Sequence, residues 1–428
     1  MPTAPSKLSP SQIWLAIKES SLFVYGVLIV VATTHQPLVY LWFRILITGR
    51  PDDPTTQGLE MTIIALQIPA VVLLFQRHLS ESTLRIRPHH LVVFLLGFMS
   101  LSTWWSILPG RTMWDIGIIT LSVCSFSYLV LTFSNVRAIT TLFLGLQPAV
   151  VMSYWAVWRN WEGSKQSLDG PWLGIFGNRN TLAPLAAGVF LSGVFLLLHT
   201  VKRRRTLVFV PFVLVLSAMG LVTLLATKSM SSVFGLLFAG VMALFFLVWK
   251  SPLLRRMNNF LWERSFATLF IVGVFILSVS IVFFSDAVSE SLGRSSGLSG
   301  RTDIWMESLR GMIDKPFFGW GWGTAWLTEE FRAELPGIMA EHRWPHSLWM
   351  EFGLGGGFAV LALSITWALW GAARTVRMSL RNSKSGLWMV TFPAFALILL
   401  SMESMNWTFH WVFAVLVGTY LMAEKTPD

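Results

Sequence analysis

The chain has 428 residues, 54% of them hydrophobic and only 13% charged, with a formal net charge of +10 and a mean hydropathy of +0.62. Soluble proteins carry about 25% charged residues, so this composition excludes a soluble globular domain and points to an integral membrane protein. The single cysteine, Cys124, excludes disulfides and cysteine-based metal sites. The basic excess lies in short loops between apolar blocks, the pattern of membrane orientation signals rather than of a nucleic-acid surface.

The first residues, MPTAPSKLSPSQ, lack a basic region followed by an apolar core and a small-residue cleavage site, so no cleavable signal peptide is expected. A spanning helix needs about 20 mostly apolar residues. Such blocks fall near 21–41, 59–76, 90–108, 114–134, 138–158, 181–199, 206–227, 231–249, 266–284, 347–371, 387–402 and 406–423. They predict an all-α polytopic membrane protein of about 12 transmembrane helices. Residues 1–428 read as one integral membrane domain, interrupted by one large polar loop, 285–346, with short helices of its own.

Placing the N-terminus in the cytoplasm puts Arg77, Arg85 and Arg87, then Arg137, then Lys202 to Arg205 on the inside. Lys250, Arg255, Arg256 and Arg264, and later Arg374, Arg377, Arg381 and Lys384, follow them. Lysine and arginine accumulate on the cytoplasmic side, so both termini are expected there, and the 285–346 loop outside. The positive charges left on the outer side, Arg111, Arg179, Lys228, Arg294, Arg301 and Arg310, are not explained by that rule. Arg111 and Arg310 read as side chains snorkelling to headgroups. Lys228, in the short turn TKSMSS between two spans, is expected to face an anion near the outer surface.

Within the long loop the sequence reads GRSSGLSGRTDIW (293–305), KPFFGWGWG (315–323) and then His346-Ser347 with Glu351 five residues after the histidine. Upstream lie GIFGNRNTLA (174–183) and ATKSMSS (226–232). In this order and against these spans, the motifs resemble the O-antigen ligase and polymerase superfamily of bacterial membrane glycosyltransferases, over roughly Trp104 to Met402. Two departures stand out. The family commonly has Arg after the Ser of the TKSMSS turn, where this chain has Met230, leaving Lys228 as the nearest cation. Gly357 meets the family's glycine spacing after the histidine, but FGLGGG would also align if one helical turn had been lost after Glu351.

The resemblance implies transfer of a glycan from undecaprenyl diphosphate to an acceptor hydroxyl at the outer face of the cytoplasmic membrane, as in lipopolysaccharide and other cell-envelope polysaccharide biosynthesis. The acceptor could be a lipid, another glycan or a protein, so ligase and polymerase both stay open. Inversion at the sugar carbon and independence of metal are expected from the resemblance. No cofactor and no nucleic acid is expected.

Such chemistry needs a base for the acceptor hydroxyl, cations for the departing diphosphate and a place for the lipid tail. His346 is the expected base: an ordinary imidazole titrates near neutrality. Pro345 beside it favours a helix start, whose dipole favours neutral imidazole and attracts anions. Merely capping or anchoring the helix is the plainer role for such a histidine. Arg301 is the first candidate for the diphosphate because guanidinium pairs phosphate oxygens bidentately; Lys228 and Arg294 follow. Asp303 and Glu307 are expected to pair with these arginines, Glu351 to support the site, and Arg179 to position its loop.

Trp320 and Trp322 lie in a glycine-rich loop where aromatic faces could stack on sugars or pack the loop onto the membrane. GWGWG lacks the Lys and Ser/Thr of a phosphate-cradling loop. His342 and His346 have a metal-ligand spacing, with Glu341 as a third donor, but a helix starting at Pro345 leaves His342 in the loop, and no distant cluster completes a set. A transporter or flippase is the competing class. It would show internal repeats and mid-membrane helix breaks, and no convincing repeat is present. A non-catalytic member of the same fold is the third reading, raised by Met230.

Overall fold

The computed structural model describes residues 10–34, 64–74, 88–161, 163–167, 169–200, 204–251, 264–277, 280, 301–333, 344–381, 385–403 and 410–425. Among them the chain is helical throughout, with one isolated β-bridge between Lys165 and Trp172. The helices are α1 Pro10–Thr33, α2 Ile64–Leu74, α3 Pro88–Leu101, α4 Pro109–Thr132 and α5 Asn135–Trp158. Then come α6 Arg179–Thr200, α7 Val210–Thr227, α8 Met230–Trp249 and α9 Arg264–Leu277. The last are α10 Arg301–Asp314, α11 Glu329–Ala333, α12 Leu348–Arg381, α13 Gly386–Met402 and α14 His410–Met422.

Six of the described helices are long and apolar enough to cross a membrane: α4, α5, α6, α7 (as 207–227), α8 and α12. Five more are apolar but shorter, near α2, α3, α9, α13 and α14. Arg294, Glu341 and His342, and the whole of the 285–300 stretch, lie outside the described residues, as do Arg77, Arg85, Arg87, Arg255, Arg256 and Lys384.

Burial explains the uniform apolarity of the late helices. α13 and α14 are buried along nearly their whole length, and a helix that is hydrophobic all round belongs in such a place. α7 and α8 instead leave Leu214, Val215, Val222, Leu225, Leu237 and Leu244 exposed, the faces a bilayer would cover. Local signals set the ends. Pro109 opens α4, where its missing N–H costs nothing, and the Ser134 side chain accepts from Arg137 N to cap α5. Lys228, left-handed at φ 51°, closes α7.

The two ends of the bundle differ. At one, Asn135 Nδ2 donates to Ser385 Oγ at 2.9 Å, Lys425 Nζ donates to Phe133 O, and Arg137 pairs with Glu19 at 3.5 Å. The start of α1 and the end of α14 therefore share this end. The opposite end gathers the starts of α4, α6 and α12, the ends of α7 and α13, and the whole of α10.

There the 315–328 loop is built into the bundle through the glycines of GWGWG. Gly319, Gly321 and Gly323 all have positive φ (66°, 88° and 68°), open to glycine at no steric cost. Alternate residues turn the chain, and the tryptophans between them point inward. The loop also breaks α12. In an unbroken helix Phe358 N–H would donate to Leu354 O. Here Leu354 O accepts from Trp320 N at 2.7 Å, and Phe358 N donates to Pro316 O at 2.9 Å. One rung of the helix is opened and both groups are satisfied by the inserted loop, as buried backbone groups must be. Gly357, at φ 77°, supplies the kink, and a side chain there would meet Pro316 O. The span expected at 347–371 is thus a broken helix running on to Arg381.

Candidate active site

Arg301 is the first residue of α10, and its side chain turns back into the bundle; only 7% of the residue is exposed. Its Nη2 donates to Glu403 Oε1 at 2.9 Å. Glu403 follows the last residue of α13 and is 2% exposed. On its other oxygen, Oε2 lies 3.7 Å from His346 Nδ1, an ion-pair separation rather than a hydrogen bond. Ser231 Oγ donates to Glu403 Oε1 at 2.9 Å and shares a 3.3 Å contact with Ser229 Oγ. Ser229 Oγ in turn donates to Asn180 Oδ1 at 3.1 Å. Five chain segments meet on one carboxylate and its immediate partners.

Tryptophan N–H groups hold the segments in register. Trp305, one helical turn after Arg301, donates from Nε1 to Pro345 O at 2.9 Å, fixing α10 to the residue before His346. Trp349 Nε1 donates to Ser401 Oγ at 2.8 Å, tying the first turn of α12 to the last turn of α13. His346 itself adopts φ 48°, a left-handed conformation that costs a non-glycine residue about 1–2 kcal/mol and that the surrounding bonds maintain. α12 begins two residues later, at Leu348, so Pro345 precedes the helix rather than occupying its first turn, and His346 stands just before its N-cap.

Charge balance favours an ionised Glu403. Burial pushes its carboxyl up, but the Arg301 guanidinium, with His346 and the Ser231 hydroxyl, outweighs that and holds it below the usual carboxylate range. One negative charge is thus enclosed by one permanent cation and one titratable ring. Arg301 is only partly used by this pairing, since its Nη1 is buried without a hydrogen-bond partner among the described residues. Such a group is costly to leave alone, and an oxyanion would satisfy it.

The other expected site residues fall as follows. Lys228 is exposed in the α7–α8 turn, adjacent to Ser229, so its turn reaches the cluster through Ser229 and Ser231. Glu351 is buried in the first turn of α12. It faces a cavity of about 10 Å³ lined also by Gly321, Trp326 and Pro345, room for a water at most.

Three expectations are corrected. Asp303 is exposed in the first turn of α10, and Glu307 pairs with Arg310 at 2.8 Å; the carboxylate on Arg301 is Glu403. Arg111 pairs with Asp115 at 2.9 Å rather than only reaching for headgroups. Trp320 and Trp322, 5% and 1% exposed, do not offer faces to a sugar. Trp320 packs on Phe331 at 5.5 Å and donates to Gly311 O, while Trp322 packs on Phe352 at 5.1 Å. They form the core beneath the loop.

Glu403, Ser229, Ser231 and Asn180 were not singled out in the sequence. The signal for Glu403 was present: an acid between two apolar blocks, at a boundary where an ionisable group needs a partner.

A search of curated proteins found no match. Residues 215–365, which include Ser229, Ser231, Arg301 and His346, match the family model for O-antigen ligase. That match supports placing the chain in the O-antigen ligase superfamily.

Proposed function

We propose that the protein is a membrane glycosyltransferase of the O-antigen ligase type, moving a glycan from undecaprenyl diphosphate to an acceptor hydroxyl at the outer face of a bacterial cytoplasmic membrane. The single observation that carries this reading is the convergence of Arg301 and His346 on Glu403, within a chain whose 215–365 region matches O-antigen ligase. In this reading His346 takes the proton of the acceptor hydroxyl. The hydroxyl oxygen forms the new bond to the sugar carbon as the bond from that carbon to the diphosphate oxygen breaks, and the diphosphate leaves with the electron pair. Arg301, through the Nη1 that has no hydrogen-bond partner among the described residues, and Lys228 take up the negative charge that develops there. The displacement is direct, inverting and metal-independent, and about 12 spans hold the site outside with both termini in the cytoplasm.

Glu403 lies against His346 Nδ1. At the 3.7 Å separation the carboxylate acts on the ring by charge, and in this reading it positions the histidine as base. The test is purified protein in detergent or nanodiscs with a polyprenyl diphosphate-linked glycan and an acceptor. His346→Ala should abolish transfer while the protein still inserts and purifies as wild type. Retained transfer by that variant would remove His346 from the chemistry. Uptake of a solute by proteoliposomes, without donor consumption, would favour a transporter instead.

A further inference from the structure

α10 carries more than Arg301. Its inward side is formed by Arg301, Ile304, Ser308, Gly311 and Met312, all buried. The outward side is divided in two. At about 100° per residue, Met306, Leu309 and Ile313 fall in one sector about 60° wide, within which Thr302 also lies. Asp303, Arg310 and Asp314 fall in the next sector. Met306, Leu309 and Ile313 are all exposed, Ile313 by 61%. An outward face that merely met water would not need its apolar and charged residues sorted.

The apolar stripe continues past the helix into Phe317 and Phe318, 77% and 61% exposed. Their position is fixed against the membrane-crossing part of the bundle. Trp105 Nε1 donates to Phe318 O at 2.8 Å, and the Trp105 and Phe318 rings meet edge to face at 5.4 Å. Trp105 stands in the turn between apolar α3 and the start of α4, which is long and apolar enough to span. Beside it Trp104 is 85% exposed, and Ile107, Leu108 and Met113 are exposed as well. The stripe of α10 is therefore continuous with an aromatic collar at the end of a spanning helix, the level at which tryptophan marks the membrane–water boundary.

We propose that α10 and the 315–318 turn form an interfacial membrane anchor. Met306, Leu309, Ile313, Phe317 and Phe318 lie in the lipid of the leaflet on the site's side, with Asp303 and Asp314 toward water. Amphipathic helices of this kind insert their apolar face about 5–10 Å into the boundary between headgroups and acyl chains. Because Arg301 begins the same helix, the lipid surface is part of what fixes its height at the site.

The experiment uses the full chain in a Cys124→Ala background, reconstituted in nanodiscs, with an environment-sensitive fluorophore on Ile313→Cys or on Asp314→Cys. Phospholipid spin-labelled near its carbonyls should quench most of the signal at 313 and little at 314, while aqueous iodide should do the reverse. Equal access of iodide to both positions would overturn the proposal. So would a label at 313 shielded from both quenchers, the signature of a second copy of the chain covering the stripe. Met306→Cys repeats the measurement two turns earlier, with the same two outcomes, should Ile313→Cys fail to insert.

Discussion

Replacing Glu403 by Leu tests the centre of the site most directly. The substitution leaves Arg301, 7% exposed, with both guanidinium ends unpaired, since Nη1 has no hydrogen-bond partner among the described residues and Nη2 loses its 2.9 Å carboxylate. Breaking a buried ion pair from one side costs about 3–5 kcal/mol, and Ser231 Oγ loses its acceptor as well. The Arg301→Met, Glu403→Leu double variant removes both charges and leaves neither stranded, so the two effects should not add. Their coupling should reach at least about 1 kcal/mol, read from equilibrium unfolding in detergent and SDS mixed micelles across the four proteins. Additive losses, or a Glu403→Leu protein as stable as wild type, would refute the reasoning. A pH series separates charge from packing. A carboxyl whose folded value is depressed contributes stability that is complete above its ordinary value, about 4.3, and that is lost as pH falls through the lower folded value. Wild type should show that acid loss and Glu403→Gln should not.

Other substitutions distinguish chemistry from scaffold. Arg301→Lys, which keeps the charge but not the planar fork, should retain the fold by melting temperature and lose most transfer activity. Trp322→Ala should destabilise by about 3–5 kcal/mol, while Trp322→Phe recovers most activity with donor KM unchanged; a raised KM alone would return Trp322 to sugar binding. Gly357→Ala places a side chain against Pro316 O at φ 77° and should cost about 1–3 kcal/mol, measured by the same unfolding assay.

What was legible in the sequence followed the solvent each residue requires. Apolar blocks of spanning length and basic loops announce helices in lipid, and they emerged as α4 to α8 and α12. A glycine alternating with tryptophan announces a turning loop, but not which way the rings face. That depends on Leu354 O and Pro316 O exchanging partners across α12, a tertiary event with no local signature. The site divides along the same line. Arg301 and His346 are conspicuous because they are polar groups in short motifs. Glu403 is inconspicuous because it ends an otherwise apolar helix, and its meaning comes from two residues 102 and 57 positions away. A buried carboxylate costs free energy unless a cation answers it, so an acid at a helix end in an apolar region implies a partner elsewhere in the chain. The outer arginines left over from the orientation rule pose the same question from the other side. Matching the two sets, unexplained acids against unexplained cations, would have put Glu403 among the candidate partners of Arg301 before any coordinates. The same matching leaves Lys228 as the cation whose role depends most on the donor; the turn that carries it reaches Glu403 through Ser229 and Ser231.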